Sequence, residues 1–213
     1  MINKEIKAII FDMDGVILDS EPLHEIARQR MFQRLQIIPD ESFPNPVGNS
    51  ASGYWRLICS LCHIDEDAYD LQAEQYRLVA EQIAENHVPV SDGILDIFSW
   101  AREHDVKIGL ASSSTRPLVN ETLQLLGVYD YFDCTVSGDE IAHKKPEPDI
   151  YLKALELLGC SNDQAVAIED TASGIKAAVR AGLFCYGYVN PTSGPQDLSQ
   201  ASAVITNLKQ IIE

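Results

Sequence analysis

Short apolar segments alternate with amphipathic segments along most of the chain. The apolar, partly β-branched segments that predict strands cover residues 6–11, 106–111, 165–168, 183–189 and 203–206. Helical periodicity is present near residues 93–104, 116–126, 148–158 and 172–181. Glycines suited to helix C-termini follow three of these stretches, at Gly127, Gly159 and Gly182. Strands that alternate with helices predict an α/β core in which helices cover both faces of a parallel sheet.

One long interval departs from this alternation. From about residue 21 to residue 88 only helical periodicity is found, as in PLHEIARQRMFQRL and DLQAEQYRLVAEQIAEN, and the turn-rich stretch SFPNPVGNSASG interrupts it. We interpret this interval as a helical domain inserted after the first strand, with VPVSDG as the return hinge. The predicted domains are an α/β core of residues 1–19 and 89–213 and a helical cap of residues 20–88.

Composition limits the classes of protein that this chain can belong to. Its 213 residues suffice for one core with a modest insertion, and 46% apolar with 23% charged residues argue against disorder. A formal net charge of −16 opposes binding to nucleic acid or to an anionic membrane surface. No stretch approaches the roughly 20 apolar residues of a membrane span, and the N-terminus lacks the features of a signal peptide. We therefore expect a cytoplasmic monomer without nucleic-acid or membrane partners.

The five cysteines suit a reducing compartment better than a disulfide framework, because their number is odd. Cys59 and Cys62 form a C-x-x-C pair followed by His63, a spacing that zinc sites also use. A structural zinc site usually needs four ligands, and no second pair has suitable spacing. The surrounding segment is helical in pattern, so the sequence predicts buried free thiols.

Polar clusters follow three of the predicted strands and precede one predicted helix. Asp12 and Asp14 follow the first strand, residues 112–115 follow the second, and residues 169–171 follow AVAI. A fourth cluster, His143-Lys144-Lys145-Pro146, precedes the helix near residue 148. In open α/β sheets, ligands bind at the carboxyl ends of the strands. One crevice is therefore expected to collect all four clusters.

The residue types in these clusters suit phosphoryl transfer at a divalent cation. Mg²⁺ prefers oxygen ligands such as the carboxylates of Asp12 and Asp170, and Glu169 can ligate the cation or hold a bound water. A serine hydroxyl with neighbouring backbone N–H groups can hold phosphate oxygens, and Lys145 can offset developing negative charge. One carboxylate can attack phosphorus while a second one moves the proton. Paired aspartates one residue apart therefore predict chemistry through an aspartyl-phosphate.

The motifs resemble those of the haloacid dehalogenase-like phosphatase superfamily. FDMDGVILDS resembles the first motif, GLASSS the second, KKPEPDIY the third with its lysine, and AIEDTASGI the acidic fourth, in family order from residue 7 to about 182. The helical interval is similar to the subgroup that has a cap between the first two motifs, which includes β-phosphoglucomutase-like proteins and small sugar-phosphate phosphatases. The resemblance implies a Rossmann-like core with an inserted helical cap, a Mg²⁺ cofactor and a small phosphorylated metabolite as substrate.

The resemblance also implies a role for each residue of the motifs. Asp12 is the expected nucleophile, and Asp14 is the expected general acid/base that also offers its backbone carbonyl to the metal. Lys145 is chosen over Lys144 because the family lysine directly precedes the proline. The implied catalytic residues are Asp12, Asp14, Ser112 and Lys145. The implied metal ligands are Asp12, Asp14, Glu169 and Asp170. The implied phosphate contacts are Ser112, Ser113 and Lys145.

Further candidate substrate contacts lie in the predicted cap. Ser20 matches the hinge of the family, where a side chain can touch substrate, but it can equally cap the next helix. His24 either faces the crevice, as a histidine does in the mutases, or lies on the surface. Gly48 and Asn49 resemble the specificity loop of the cap, in which a glycine lets the backbone approach the ligand. Trp55 is predicted to belong to the core of the cap rather than to form a platform for a sugar.

Three functions are compatible with these residues. The first is a Mg²⁺-dependent phosphatase of a small phosphorylated metabolite, and the alternative is a β-phosphoglucomutase. A mutase needs a cation on the cap for its second phosphate; Ala51 lies near the position of the mutase arginine, and Arg56 compensates only if its helix turns it inward. The remote alternative is a phospho-acceptor signalling domain, although such domains are shorter and have no helical insertion. We predict the phosphatase.

Overall fold

The protein folds around a parallel sheet. The computed structural model describes residues 6–44, 46 and 50–212. The sheet has six strands within these residues, in the order β3-β2-β1-β4-β5-β6. The strands are β1 (Ala8–Phe11), β2 (Lys107–Ser112), β3 (Cys134–Ser137), β4 (Ala165–Glu169), β5 (Phe184–Tyr188) and β6 (Ala203–Ile205). This confirms the predicted α/β fold with its parallel sheet. The substrate contacts predicted for Gly48 and Asn49 lie outside the described residues and stay predictions.

One strand, β3, was not predicted from the sequence. Its four residues CTVS include two hydroxyl side chains, and its first two residues are only half-buried because the strand lies at the edge of the sheet. A short, partly polar edge strand carries little of the apolar signal that marks a buried one. The five predicted strands all form.

Seven α-helices lie in the described part of the chain. They are α1 (Glu21–Arg34), α2 (Ala51–Cys62), α3 (Ala68–Asn86), α4 (Ile94–Glu103), α5 (Arg116–Leu125), α6 (Asp149–Leu158) and α7 (Ala172–Arg180). Helices α1 to α3 lie between β1 and α4 and are called the helical insertion below. Within the described residues, no helix has the length and apolar character needed to cross a bilayer.

The register of the central strands β1, β2 and β4 determines where the residues directly after these strands lie. Phe11 at the end of β1 pairs with Leu110 of β2 and with Ile168 of β4. All four residues of β1 are buried, as expected of a parallel strand covered on both faces. The chain that leaves β1 therefore emerges between the ends of β2 and β4. This register brings three of the predicted polar clusters to one edge of the sheet.

Aromatic side chains pack together inside the helical insertion. Trp55 is fully buried, and its ring centroid lies 5.7 Å from that of Phe32 and 5.6 Å from that of Tyr54. The indole N–H donates a hydrogen bond of 2.6 Å to Gln75 Oε1. Trp55 thus packs inside the insertion, in agreement with the sequence-based prediction.

The cysteines are free thiols, but the prediction that Cys59 and Cys62 are buried is wrong. Both are only half-buried, because they lie near the C-terminal end of α2. His63 after them is exposed and ends the helix in a left-handed conformation. Among the described residues these three form no metal-ligating group.

Replacing Trp55 by alanine is expected to lower the free energy of unfolding by about 3–5 kcal/mol, because the change removes a fully buried aromatic side chain. Urea denaturation followed by circular dichroism measures the loss. Leu57→Ala on the same helix is the matched control, since Leu57 is 48% exposed and its removal should cost less than about 1 kcal/mol. Equal losses in the two variants would contradict a tightly packed aromatic core in the insertion.

Candidate active site

The predicted polar residues meet at the carboxyl ends of β1, β2 and β4. Asp12 continues the ladder of β1 by donating its backbone N–H to the carbonyl of Ile168 at 3.0 Å. Ser112 and Glu169 end β2 and β4, and both are fully buried. Asp170 is also buried. The sheet therefore carries these side chains out of its apolar core and into one small polar region.

A tight turn after β1 makes this convergence possible. Gly15 has a φ of +80°, a conformation that glycine adopts without strain. A Cβ atom at Gly15 would lie 2.0 Å from Asp170 Oδ2, so no larger residue fits without displacing that carboxylate. The turn thus requires glycine both for its backbone conformation and for the close approach of Asp170.

Lys145 joins the carboxylates of β1 and β4. Its Nζ lies 2.6 Å from Asp12 Oδ1 and 2.6 Å from Glu169 Oε1, and it also donates to the carbonyl of Ala111 at 2.9 Å. Burial alone would lower the pKa of Lys145, but the attraction of Asp12 and Glu169 outweighs it and raises the pKa above its ordinary value. The lysine is therefore a fixed positive charge. Lys144 is exposed and lies at the rim of the cleft.

Asp12, Glu169 and Asp170 could hold a metal ion. Each offers one carboxylate oxygen, and these oxygens all lie within 4.8 Å of one another. Asp170 Oδ2 accepts a hydrogen bond of 2.7 Å from Ser193, whereas its buried Oδ1 has no hydrogen-bond partner among the described residues. An unpaired buried carboxylate oxygen is costly and needs a positive partner. A set of hard oxygen ligands with one oxygen left open suits Mg²⁺.

The acidic cluster is electrostatically frustrated without such a cation. Burial raises the pKa of Asp12 well above its ordinary value, and the repulsion of Glu169, Asp170 and Asp14 adds to the rise against the opposing attraction of Lys145. Burial, followed by the repulsion of Glu169, raises the pKa of Asp170 to about 7. A divalent cation between these carboxylates would favour their charged forms.

Glu169 is held mainly by protein donors. Tyr151 donates its hydroxyl to Glu169 Oε1 at 2.7 Å, and Thr171 donates its hydroxyl to Oε2 at 3.2 Å. A Cβ atom at Gly174 would lie 1.9 Å from Glu169 Oε1, so the start of α7 can approach the carboxylate only as glycine. The position of Glu169 is therefore determined by its surroundings on several sides.

Asp14 lies apart from the acidic cluster and faces the helical insertion. Ser114 Oγ donates to Asp14 Oδ2 at 3.0 Å, and His24 Nε2 lies 3.6 Å from Asp14 Oδ1. Burial would raise the pKa of Asp14, but hydrogen bonds from His24, Ser20 and Ser114 lower it below its ordinary value. Asp14 thus differs from Asp12 in environment and in proton affinity.

Ser20 and His24 both line the cleft. Ser20 occupies the N-cap position of α1, yet its side chain makes no capping hydrogen bond; it is buried, and it helps to lower the pKa of Asp14. His24 lines the cleft with its Nδ1 lying 3.0 Å from Gln75 Nε2. Both side chains therefore face the site.

The serines after β2 do not all lie at the surface of the cleft. Ser113 and Ser114 line it, whereas Ser112 is fully buried and its hydroxyl accepts the backbone N–H of Ser114 at 3.1 Å. Ser112 thus lies one layer below the two serines that follow it. Its predicted phosphate contact stays a prediction.

Sequence reasoning missed two contributors to the site. Ser114 reaches Asp14, and Ser193 reaches Asp170 from the loop after β5. In the same loop, Asn190 Nδ2 donates to the carbonyl of Gly15 at 3.1 Å. The position of this loop, directly after the carboxyl end of a predicted strand, is the one signal that could have identified it.

A cleft of about 250 Å³ separates the strand ends from the helical insertion. On the side of the strand ends it is lined by Asp12, Asp14, Ser113, Ser114, Lys145 and Asp170. On the side of the insertion it is lined by His24, Arg28, Tyr54, Gln72, Gln75 and Tyr76, among others. A small polar molecule held here would contact both parts of the chain.

Comparisons with known proteins agree with this architecture. Residues 9–187 match the family model described as haloacid dehalogenase-like hydrolase. The chain is 29% identical over 204 residues to the phosphorylated carbohydrates phosphatase of Thermotoga maritima, covering 93% of this chain and 92% of that protein. It is 31% identical over 179 residues to the fructose-1-phosphate phosphatase YqaB of Escherichia coli, covering 82% and 92%. The crystal structure of CbbY from Rhodobacter sphaeroides in complex with phosphate superposes with a TM-score of 0.84 at 25% identity, covering 95% and 94%. The chain therefore belongs to the haloacid dehalogenase-like hydrolase family and is a phosphohydrolase.

Proposed function

We propose that the protein is a Mg²⁺-dependent phosphatase that hydrolyses a small sugar phosphate through an aspartyl-phosphate on Asp12. The observation that carries the proposal is the placement of buried Asp12 in the lining of the cleft, 2.6 Å from Lys145 Nζ and within 4.8 Å of carboxylate oxygens of Glu169 and Asp170. The names of the two phosphatase relatives support a phosphorylated carbohydrate as substrate.

The metal would be held by Asp12, Asp170 and the backbone carbonyl of Asp14, with Glu169 ligating it directly or through water. Bound Mg²⁺ supplies a Lewis acid that polarises the phosphoryl group and offsets its negative charge. The unpaired Asp170 Oδ1 and the raised pKa of Asp170 support a cation at this position. Ser193 holds the other oxygen of Asp170 and so orients the carboxylate.

The reaction would proceed in two displacements at phosphorus. The Asp12 carboxylate forms a bond to phosphorus while the ester oxygen leaves and takes a proton from Asp14. Asp14 then accepts a proton from water, which attacks the phosphorus, releases inorganic phosphate and restores Asp12. Lys145 offsets the charge on the phosphoryl oxygens in both steps. The dianionic ester near Asp14 would raise the pKa of that carboxyl and help it to carry the proton.

The helical insertion would act as a cap over this chemistry, with the domain boundaries proposed at residues 20 and 88. It closes one side of the cleft, and Ser20 and His24 at its start contact Asp14. A cap in this position excludes bulk water, which strengthens electrostatic interactions inside the site.

The surroundings of Arg56 favour a phosphatase over a β-phosphoglucomutase. Arg56 is exposed, and its guanidinium lies 5.8 Å from the ring centroid of Tyr69 on the surface of the insertion. The cleft is lined instead by Ala51, which offers no charge for a second phosphate. These observations support hydrolysis as the outcome of the aspartyl-phosphate chemistry.

The proposed function can be tested by measuring phosphate release from a panel of phosphorylated metabolites with and without Mg²⁺. We expect hydrolysis of sugar monophosphates that stops when the metal is chelated and returns when it is added back. Turnover that is unaffected by chelation would contradict the metal requirement. Conversion of β-glucose 1-phosphate into glucose 6-phosphate, rather than into glucose and phosphate, would favour the mutase.

Asp12→Asn should reduce kcat to less than about one thousandth of the wild-type value, because an amide is a poor nucleophile. The variant should keep its fold, since asparagine is nearly isosteric with aspartate. Asp65→Asn, which makes the same change at an exposed position of the insertion, should keep full activity. Wild-type turnover in the Asp12 variant, once mass spectrometry has excluded deamidation, would disprove the nucleophile assignment.

The stability of the metal-free protein should fall as pH rises. Asp170 has a pKa of about 7 when folded against 3.8 ordinarily, so between these values the folded state binds more protons than the unfolded state. The melting temperature without metal should therefore drop by about 5 °C or more from pH 5 to pH 8. Asp12, whose pKa is also raised, acts in the same direction.

Scanning calorimetry with and without Mg²⁺ at both pH values measures this effect. Mg²⁺ should raise the melting temperature more at pH 8 than at pH 5, because it binds the charged carboxylates. Asp170→Asn should show a smaller decline with pH. Equal stabilisation by Mg²⁺ at both pH values would contradict the role of the acidic cluster.

A further inference from the structure

On the insertion side of the cleft, Arg28 forms ion pairs with two glutamates. The side chain of Arg28 is 7% exposed. Its Nη2 donates to Glu21 Oε1 at 2.7 Å and to Glu25 Oε2 at 2.8 Å, and its Nε also lies 3.2 Å from Glu25 Oε2. One positive and two negative charges leave this triad with a net charge of −1. The guanidinium is therefore occupied by carboxylates rather than open to an anionic ligand.

Apart from His24, which faces Asp14, the neighbouring side chains on this wall offer hydrogen bonds without charge. Tyr54, Gln72, Gln75 and Tyr76 present hydroxyl and amide groups that can both donate and accept. The wall opposite the acidic cluster is thus polar and, through the Arg28 triad, slightly negative.

The other lysine of the cleft belongs to the opposite wall. Lys144 directly precedes Lys145, so it lies at the end of the cleft where the reacting phosphate is expected. It therefore adds positive charge next to the metal-ligand cluster rather than beside the Arg28 triad. The two ends of the cleft differ in the chemistry that they offer.

We propose that the cleft selects phosphomonoesters whose non-reacting end is uncharged and rich in hydroxyl groups, and that it discriminates against substrates with a second anionic group. The inference rests on the phosphatase function proposed above. A second phosphate or a carboxylate would have to displace Glu21 and Glu25 from Arg28, or lie beside them, and either arrangement leaves charges unpaired or opposed. Hydroxyl groups instead meet the tyrosine and glutamine side chains. The cleft volume of about 250 Å³ suits a small substrate such as a single sugar or polyol unit.

The wild-type enzyme provides the first test, through pairs of esters that differ by one phosphate. The pairs are fructose 1-phosphate with fructose 1,6-bisphosphate, and glucose 6-phosphate with glucose 1,6-bisphosphate; phosphoglycolate represents the phosphorylated acids. At saturating Mg²⁺, kcat/KM for the better monophosphate should exceed that for its bisphosphate and for phosphoglycolate by about tenfold or more. A bisphosphate or phosphoglycolate used as well as the best monophosphate overturns the inference but leaves the phosphatase function intact. Failure to hydrolyse any ester overturns the phosphatase function itself, and the inference with it.

Variants of the triad provide the second test. Glu21→Gln combined with Glu25→Gln releases Arg28, so the ratio of kcat/KM for bisphosphate to that for monophosphate should rise about tenfold. Adding Arg28→Gln to this double variant should abolish the rise. Glu85→Gln neutralises one carboxylate at an exposed position of the insertion outside the cleft and should leave the ratio unchanged.

A double variant that folds, as judged by circular dichroism, and keeps the wild-type ratio would overturn the role of the triad. If the double variant does not fold, the inhibition constant of each bisphosphate against the wild-type enzyme decides instead. That constant should exceed the KM of the matching monophosphate by about tenfold. A bisphosphate that inhibits at or below that KM overturns the inference.

Discussion

The site depends on one buried ion-pair network, in which Lys145 lies 2.6 Å from both Asp12 and Glu169. Buried charges are costly unless they are paired, and removing one partner leaves the others uncompensated. Three carboxylates, those of Asp12, Glu169 and Asp170, face a single lysine, so the fully ionised cluster has a net charge of −2. A divalent cation cancels this charge. The carboxylates of the protein themselves thus create a need for positive charge at the end of β1. The raised pKa of Asp170 reflects the same excess of buried negative charge.

The network can form only because the backbone approaches it closely from two sides. Added Cβ atoms at Gly15 and Gly174 would lie 2.0 Å from Asp170 Oδ2 and 1.9 Å from Glu169 Oε1. The absence of a side chain at both positions lets the turn after β1 and the start of α7 close around the carboxylates. The same closeness excludes water from the cluster, which strengthens each charge interaction. Small residues here therefore determine electrostatics as well as backbone conformation.

The sequence predicts the parts of this arrangement that depend on local pattern. The run Ala8–Phe11 is apolar because β1 is buried on both faces, and Asp12 follows it directly, so strand and carboxylate could be identified together. Alternation of strands and helices was sufficient to predict the parallel sheet. The edge strand β3 was not predicted because only its last two residues are buried, which leaves too short an apolar pattern to identify a strand. The role of Ser193 was not predicted because its contact with Asp170 joins residues 23 positions apart, and no sequence periodicity indicates such a contact.

The helical insertion contributes to the site through contacts that only its tertiary fold creates. The indole N–H of Trp55 on α2 can only donate, so Gln75 on α3 must present Oε1 to it and its amide N–H₂ to His24 Nδ1 on α1. His24 Nδ1 is then the acceptor, which places the imidazole proton on Nε2, the nitrogen 3.6 Å from Asp14 Oδ1. Contacts among one residue from each helix of the insertion thus fix which imidazole nitrogen carries the proton. Asp14 accepts a hydrogen bond from Ser114 of the α/β core and lies near His24 of the insertion, so both parts of the chain contribute to its surroundings. The insertion therefore helps to set the environment of Asp14 and does more than cover the cleft.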